Sequence, residues 1–282
     1  MKGKQIAIIV AVLVIVGYLY LQPVKGLIKP KEGHDNGMVA GSKPAPATIS
    51  ADMVSATAKT AIGENLSAKI TDLESQLKQA AGDKQKEDLQ RQLAKQWDDV
   101  NQPAPAAFYY LDLARKQHGF NDWLNAGTRF NDAYRLSQDS SLQSAFVLSA
   151  VEALQNATKL NPDNLDAKAG LGVAYVNGGA PSPMQGISLL LEVVAKDPNN
   201  RSANLNLGLF AMKSGQYEKA VVRFKTLIAQ KPEIEPYFYL AESYKQLGQK
   251  QQAIDAYQKC KELMPDPTFG KRIDDFIKEL KN

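Results

Sequence analysis

At 282 residues the chain has room for one elongated domain with appendages, and 44% hydrophobic against 23% charged residues is the balance of a folded protein, which excludes a wholly disordered one. Within residues 1–50, six lysines (Lys2, Lys4, Lys25, Lys29, Lys31 and Lys43) against Glu32 and Asp35 account for the whole net charge of +4, so residues 51–282 hold 28 basic and 28 acidic groups. A neutral body carries no electrostatic footprint for nucleic acid, whereas lysines beside an apolar run suit a membrane surface.

That run is Ile6 to Leu21, interrupted only by Gly17, Tyr18 and Tyr20. Its sixteen residues, if helical, reach roughly 24 Å against a hydrocarbon core of ~30 Å, so Gln5 and Gln22 to Val24 fall at the interfaces, with the tyrosines at an aromatic belt. Residues 1–22 therefore read as one membrane-spanning anchor. A cleaved export signal is the other reading: Met1-Lys2-Gly3-Lys4 suits one, but Tyr18 to Pro23 offers no small-x-small cleavage site. No cysteine lies near the run, which excludes a lipoprotein form. The positive-inside count nearly ties, Lys2 and Lys4 with the amino terminus facing Lys25, Lys29 and Lys31. A short basic tail ahead of an apolar run is the order of an export signal, so the expected place is the inner (cytoplasmic) membrane of a bacterium, with the body periplasmic. Residues 23–50, rich in Lys, Gly and Pro without any period, read as a flexible linker with a reach on the order of 25–30 Å.

Residues 51–100 read as a helical hairpin or short coiled coil. One helix is expected over Ala51–Ala80, with Leu66, Ile70, Leu73, Leu77 and Ala80 at four-three spacing; Gly82 ends it and Asp83 caps a second helix bearing Leu89, Leu93 and Trp97. Two readings stay open: an antiparallel pair that caps the array, or an intermolecular coil that makes the protein a homo-oligomer. Pro103 and Pro105 then break the chain before a helix over Ala106–Gln117, with Phe108, Leu111 and Ala114 on one face.

The most informative feature lies further on. Gly208, Ala220, Phe224 and Pro232 are followed, each 33 residues later, by Ala241, Ala253, Tyr257 and Pro265. Small residues let two helices cross closely, Leu207 and Phe224 fill the space around the crossing, and the prolines end each second helix. Ser214-Gly215-Gln216 and Leu247-Gly248-Gln249 supply a glycine for the left-handed cap between the helices. Upstream, Leu171-Gly172 and Tyr175 precede a loop two residues too long (Gly178 to Pro183), then Gly186, Leu190 and Pro198. Before that, Trp123-x-x-Ala126-Gly127-x-x-Phe130 aligns with Ala150, Leu154, Ala157 and Pro162 about eleven residues late, so that pair of helices shares three additional turns. Thr268–Leu280, with Ile273, Phe276, Ile277 and Leu280 in register, reads as a polar-backed closing helix.

This pattern resembles the tetratricopeptide repeat (TPR), firmly over residues 120–282 and loosely over 83–119. The resemblance implies an all-α fold: a right-handed solenoid of antiparallel helix pairs at 101–266, closed by a capping helix at 267–282, with the transmembrane helix, linker and hairpin ahead of it. No segment has a strand period. The overall plan is similar to that of bacterial periplasmic TPR scaffolds such as the accessory subunit of the Sec translocon and the TPR factors of cytochrome c maturation.

Catalytic and cofactor chemistry is not expected. His34 and His118 cannot form a metal site by spacing, and the lone Cys260 falls where its repeat wants a small buried residue. No phosphate loop, nucleophile elbow or His-Glu-x-x-His run is present. The resemblance instead implies a concave groove lined by the first helix of each repeat at its second, fifth, sixth, ninth, twelfth and thirteenth positions. Counted from Leu165, Arg201 and Ile234, these positions include Val173, Leu205, Asn206, Leu209, Met212, Phe238, Tyr239 and Glu242. They make an apolar strip beside one amide, suited to an extended or helical peptide. A clamp for a C-terminal carboxylate is disfavoured, because only Asn206 fits it while Ala169 and Val173 occupy slots for a basic residue and an asparagine. Packing of Leu205, Leu209 and Phe238 against the neighbouring repeat is the competing account of the strip. The expectation is a membrane-tethered scaffold for a protein or peptide partner; the alternative is a structural oligomer assembled through residues 51–80.

Overall fold

The computed structural model describes residues 49–178 and 182–281; the apolar run Ile6–Leu21 and the linker as far as Thr48 lie outside the described residues. Among the described residues all regular structure is helical, in thirteen elements. They are α1 (Ala51–Lys59), α2 (Glu64–Gln79), α3 (Asp83–Asp99), α4 (Pro103–Gln117), α5 (Phe120–Leu136), α6 (Ser140–Leu160), α7 (Leu165–Val176), α8 (Pro183–Lys196), α9 (Arg201–Lys213), α10 (Tyr217–Gln230), α11 (Ile234–Gln246), α12 (Lys250–Leu263) and α13 (Pro267–Lys281). None of these helices is long and apolar enough to cross a membrane. From α2 onward each packs on its chain neighbour, α5 with α6, α7 with α8, α9 with α10, α11 with α12, and α13 against α12, while α1 packs on α4.

The pairs cross at small residues. A Cβ on Gly208 would lie 2.7 Å from the Phe224 ring, and one on Gly127 2.3 Å from Leu154 Cγ. At α7–α8 the approach is backbone to backbone: a Cβ on Gly186 would sit 2.4 Å from the Gly172 carbonyl oxygen, and one on Gly172 2.8 Å from that of Gly186. In the last pair Ala241 and Tyr257, both fully buried, share one cluster. Helix ends follow the same economy. Gly215 (φ 73°) and Gly248 (φ 71°) close α9 and α11 in the left-handed region, with Gln216 N donating to Ala211 O at 2.8 Å and Gln249 N to Tyr244 O at 2.9 Å. Pro162, Pro198, Pro232 and Pro265 each stand two residues beyond the last residue of α6, α8, α10 and α12.

The additional turns of the α5–α6 pair have a definite place. These helices hold 17 and 21 residues against 13 and 14 in α9 and α10. Phe120 precedes Gly127 by the same seven residues as Arg201 precedes Gly208, so α5 starts in register and Ala133–Leu136 prolong its C-terminal end. α6 runs six residues past Leu154, as α10 does past Phe224, so residues 140–146 are added at its start. The insertion therefore sits at the hairpin tip, pushed out by roughly one turn on one helix and two on the other. The tip extends the core of the pair: Ala133 and Phe146 are buried in the same cluster as Phe130 and Leu154, and Phe108 of α4 packs edge-on against Phe130 at 5.0 Å and Phe146 at 6.5 Å.

Ahead of the array the structure departs from the sequence reading in three places. The single helix expected over Ala51–Ala80 is two, broken between Lys59 and Glu64 with Gly63 as the N-cap of α2. The break lets α1 turn Val54 toward Ala107 and Leu111 while α2 packs Ile70 on Leu93 and Trp97, and Ser55 and Lys59 both donate to the Glu74 carboxylate. Gly82, not Asp83, is the N-cap of α3; Asp83 is its first residue, where a carboxylate favours the helix dipole. α4 begins at Pro103, since proline in a first turn loses no hydrogen bond. The seam of α2 is covered within the chain: Ile70 is fully buried and Leu73 and Leu77 pack on the same cluster, leaving Leu66 exposed. At the other end α13 buries Ile273, Ile277 and Leu280. Cys260 is fully buried with its thiol pushed up to about 11 by burial, far from the reactive thiolate range.

Gly186→Ala is expected to lower stability by roughly 1–3 kcal/mol because a carbonyl oxygen cannot yield, whereas Gly208→Ala stays within about 1 kcal/mol, the gain in helix propensity offsetting a shift of Phe224. Urea midpoints of the two variants check the contrast; equal losses would contradict it. Burial raises the Asp112 carboxyl above its ordinary value, against Arg115 and Lys116. A raised folded-state value favours the fold below the usual carboxylate range and opposes it once pH passes the raised value. Asp112→Asn is therefore expected to raise the melting temperature at pH 7 and leave it unchanged near pH 3.

Candidate protein-binding cleft

The first helices α5, α7 and α9 wall a cleft of about 670 Å³. α5 supplies Leu124, Asn125, Thr128 and Asn131; α7 supplies Asp166, Gly170 and Val173; α9 supplies Ser202, Leu205, Asn206 and Leu209. On each helix the lining residues recur at three- and four-residue spacing, because one stripe faces inward while the opposite stripe packs on the second helix. The chemistry is mixed: leucine and valine sockets between side-chain amides and hydroxyls.

Several amides are already oriented. Asn206 Nδ2 donates to Ser202 O at 2.8 Å, and Asn131 Nδ2 crosses from α5 to α7 to donate to Gly170 O at 3.0 Å. Gln143 Nε2 binds Ser137 O at 2.8 Å and so braces the hairpin tip. Asn206 and Asn131 each use one of two N–H donors in these bonds, Gln143 uses both, its second going to Tyr134 O at 3.3 Å, and the Asn131 carbonyl oxygen is buried without a partner among the described residues.

From Asp132 and Arg135 at the rim of the cleft, a ladder of alternating charge runs beyond it in both directions. Arg129 Nε lies 2.6 Å from Asp98 Oδ1, Arg129 Nη1 3.4 Å from Asp132 Oδ2, Arg135 Nη2 3.5 Å from Asp132 Oδ1, and Arg135 Nη1 3.3 Å from Glu235 Oε1. Asp98 also accepts from the Tyr110 hydroxyl at 3.0 Å, and burial with that carboxylate pushes the phenol up to about 12. Arg135 belongs to the turn that prolongs α5. The hairpin tip thus reaches across the cleft from the first complete pair to α11.

Of the residues assigned to a groove from sequence, Val173, Leu205, Asn206 and Leu209 line this cleft together. Met212, Phe238, Tyr239 and Glu242 do not. Phe238 sits among Tyr239, Tyr257 and Phe276, each at a centroid distance of 5.9 Å; Tyr239 stacks on Phe224 at 5.6 Å; Glu242 accepts from the Tyr257 hydroxyl; and Met212 packs on the same cluster. The cause is α13, whose Phe276 and Ile273 fill the end of the array with aromatic core. Leu205 and Leu209 also touch that cluster, so the competing account holds for part of their surface. Sequence reasoning missed α5, although the same count begun at Phe120 marks Leu124, Asn125, Thr128 and Asn131. For Arg135 the eleven-residue lag was the available signal.

The family model for the tetratricopeptide repeat matches residues 234–267, the α11–α12 hairpin and the turn that follows it. A thermophilic TPR protein of Thermus thermophilus superposes with a TM-score of 0.53 at 19% identity, over 67% of this chain and 97% of that one. A tetratricopeptide repeat protein from Parabacteroides merdae gives 0.56 at 11% identity, over 82% and 83%. The array has the TPR fold. No curated protein matches the sequence. Among the described residues no group of His, Cys, Asp and Glu is placed to hold a metal ion.

A double-mutant cycle on Arg135→Ala and Glu235→Ala, read from urea midpoints, is expected to give a coupling of about 0.2–1 kcal/mol that fades in 1 M salt. Zero coupling at low salt would mean that the hairpin tip does not engage α11.

Proposed function

We propose that this chain is a membrane-tethered TPR scaffold that holds an extended segment of a partner protein in the cleft between α5, α7 and α9. The observation that carries the reading is the composition of the cleft, in which amides and hydroxyls alternate with leucine sockets on α5 and α9, while α7 between them adds Asp166, Gly170 and Val173. Packed helices stand about 8–10 Å apart, and three residues of an extended chain cover roughly the same distance, so α5 and α9, two helices apart, present like groups to peptide residues about six apart. The peptide's own N–H and C=O groups then meet side-chain amides in place of water. Ile6–Leu21 and the lysines on either side support a single N-terminal anchor, and the short basic tail supports an extracytoplasmic body at the inner membrane of a bacterium. The plan is that of bacterial periplasmic TPR scaffolds. Assembly through residues 51–80 gains no support, since the α2 seam packs on Leu93 and Trp97 of its own chain.

A photoreactive residue at Thr128 or Leu209 of the full chain in cells is expected to capture one partner, with no adduct from Leu160, which is exposed outside the cleft. Adducts from Leu160 alone would remove the cleft assignment. Protection of the body from protease in intact cells and its digestion in spheroplasts is the expected topology; protection in both would place the body on the cytoplasmic side.

A further inference from the structure

A second recess of about 590 Å³ opens between α8, α9 and α10. Two second helices, α8 and α10, flank it on either side of the first helix α9, whose Phe210 also borders the cleft described above. Ile187, Leu207 and Phe210 line it together with Met184, Leu191 and Val222, which are 70%, 46% and 60% exposed. Three large apolar side chains left in water around one hollow are unlike scattered surface hydrophobics and mark an interaction site. Met184, Ile187 and Leu191 form a stripe over two turns of α8.

The hollow follows from how α8 is seated. Its connection to α7 runs over six residues where that between α9 and α10 takes three, and α8 closes on α7 by the direct contact of Gly172 with Gly186. The junction with the next hairpin is then a small separate core of Ala169, Val173, Leu190, Val193, Ala203 and Leu207.

The rim is basic. Lys213, Lys219 and Arg223 line the recess and, among the described residues, no carboxylate does. Two of the three have neutral internal partners: Lys219 Nζ donates to Gln216 Oε1 at 2.6 Å and Arg223 Nη1 to Asn204 Oδ1 at 3.1 Å. We propose that this recess docks an acidic amphipathic helix of a partner protein, two to three turns long, with its apolar stripe on Met184, Leu191 and Val222 and its carboxylates toward the three cations. Charge argues against the chain's own residues 1–48 as occupant, because they carry six lysines against two acids. Shape argues against a lipid surface, which meets protruding side chains rather than a hollow.

The test uses the full chain in nanodiscs of zwitterionic lipid and two fluorescein-labelled helical 16-residue peptides. Both carry leucine at i, i+3, i+4 and i+7; one has glutamate and the other lysine at the flanking positions. Fluorescence anisotropy is expected to show the glutamate peptide binding at least tenfold more tightly than the lysine peptide. Met184→Glu with Val222→Glu, at exposed positions that leave the circular dichroism unchanged, should weaken it at least tenfold. Lys213→Glu with Lys219→Glu should reverse the preference. The proposal is overturned if neither peptide binds, if both bind equally, or if the variants change nothing. It is also overturned if the wild type self-associates, or floats with anionic vesicles, in a manner that Met184→Glu with Val222→Glu abolishes.

Discussion

Each hairpin of the array depends on one contact: a residue without bulk on the first helix facing a large side chain, or another glycine, on the second. Gly127 against Leu154, Gly172 against Gly186, Gly208 against Phe224 and Ala241 against Tyr257 are four versions of it. Close approach sets the rotation of each first helix, because the stripe that meets the second helix determines which stripe is left over. The leftover stripes of α5, α7 and α9 are the walls of the cleft. Packing and binding surface are thus two faces of one constraint, and moving the crossing by one residue would turn Val173 and Leu209 away from the cleft.

Irregularity supplies what regular repeats would not. The eleven residues added at the α5–α6 tip bring Tyr134, Arg135 and Gln143 to the cleft and join α5 to α11 through the Asp98–Arg129–Asp132–Arg135–Glu235 ladder. The two residues added between α7 and α8 accompany the basic-rimmed hollow between α8, α9 and α10. At the end of the array α13 closes the stack with Phe276 on Tyr257 and edge-on to Phe238, which lies outside the cleft of α5, α7 and α9. Each departure from the 33-residue period thereby decides where surface is left available.

Much of this was legible in the sequence. The first-helix starts at Leu165, Arg201 and Ile234, the prolines beyond the second helices and the left-handed glycines all follow from strong local chemistry, and the three additional turns from a lag in the repeat. The break before Glu64 was not legible, because Ala51–Ala80 keeps a helical pattern throughout and Gly63 breaks a helix only when tertiary packing makes use of it. Pro103 was read as a breaker although a first turn accepts it. In the site, repeat position placed Val173, Leu205, Asn206 and Leu209 together, but position alone does not say that Phe276, from outside the repeats, fills the space beside Phe238.

The proposed function stands on the amides, hydroxyls and apolar sockets that line the cleft of α5, α7 and α9. Amide hydrogen exchange tests this most directly, on the full chain with and without peptides selected on it from a random display library. Slowed exchange in α5, α7 and α9, centred on the helices that carry Asn125, Val173 and Asn206, is the predicted result. Slowed exchange confined to α11–α13, or none anywhere, would contradict it.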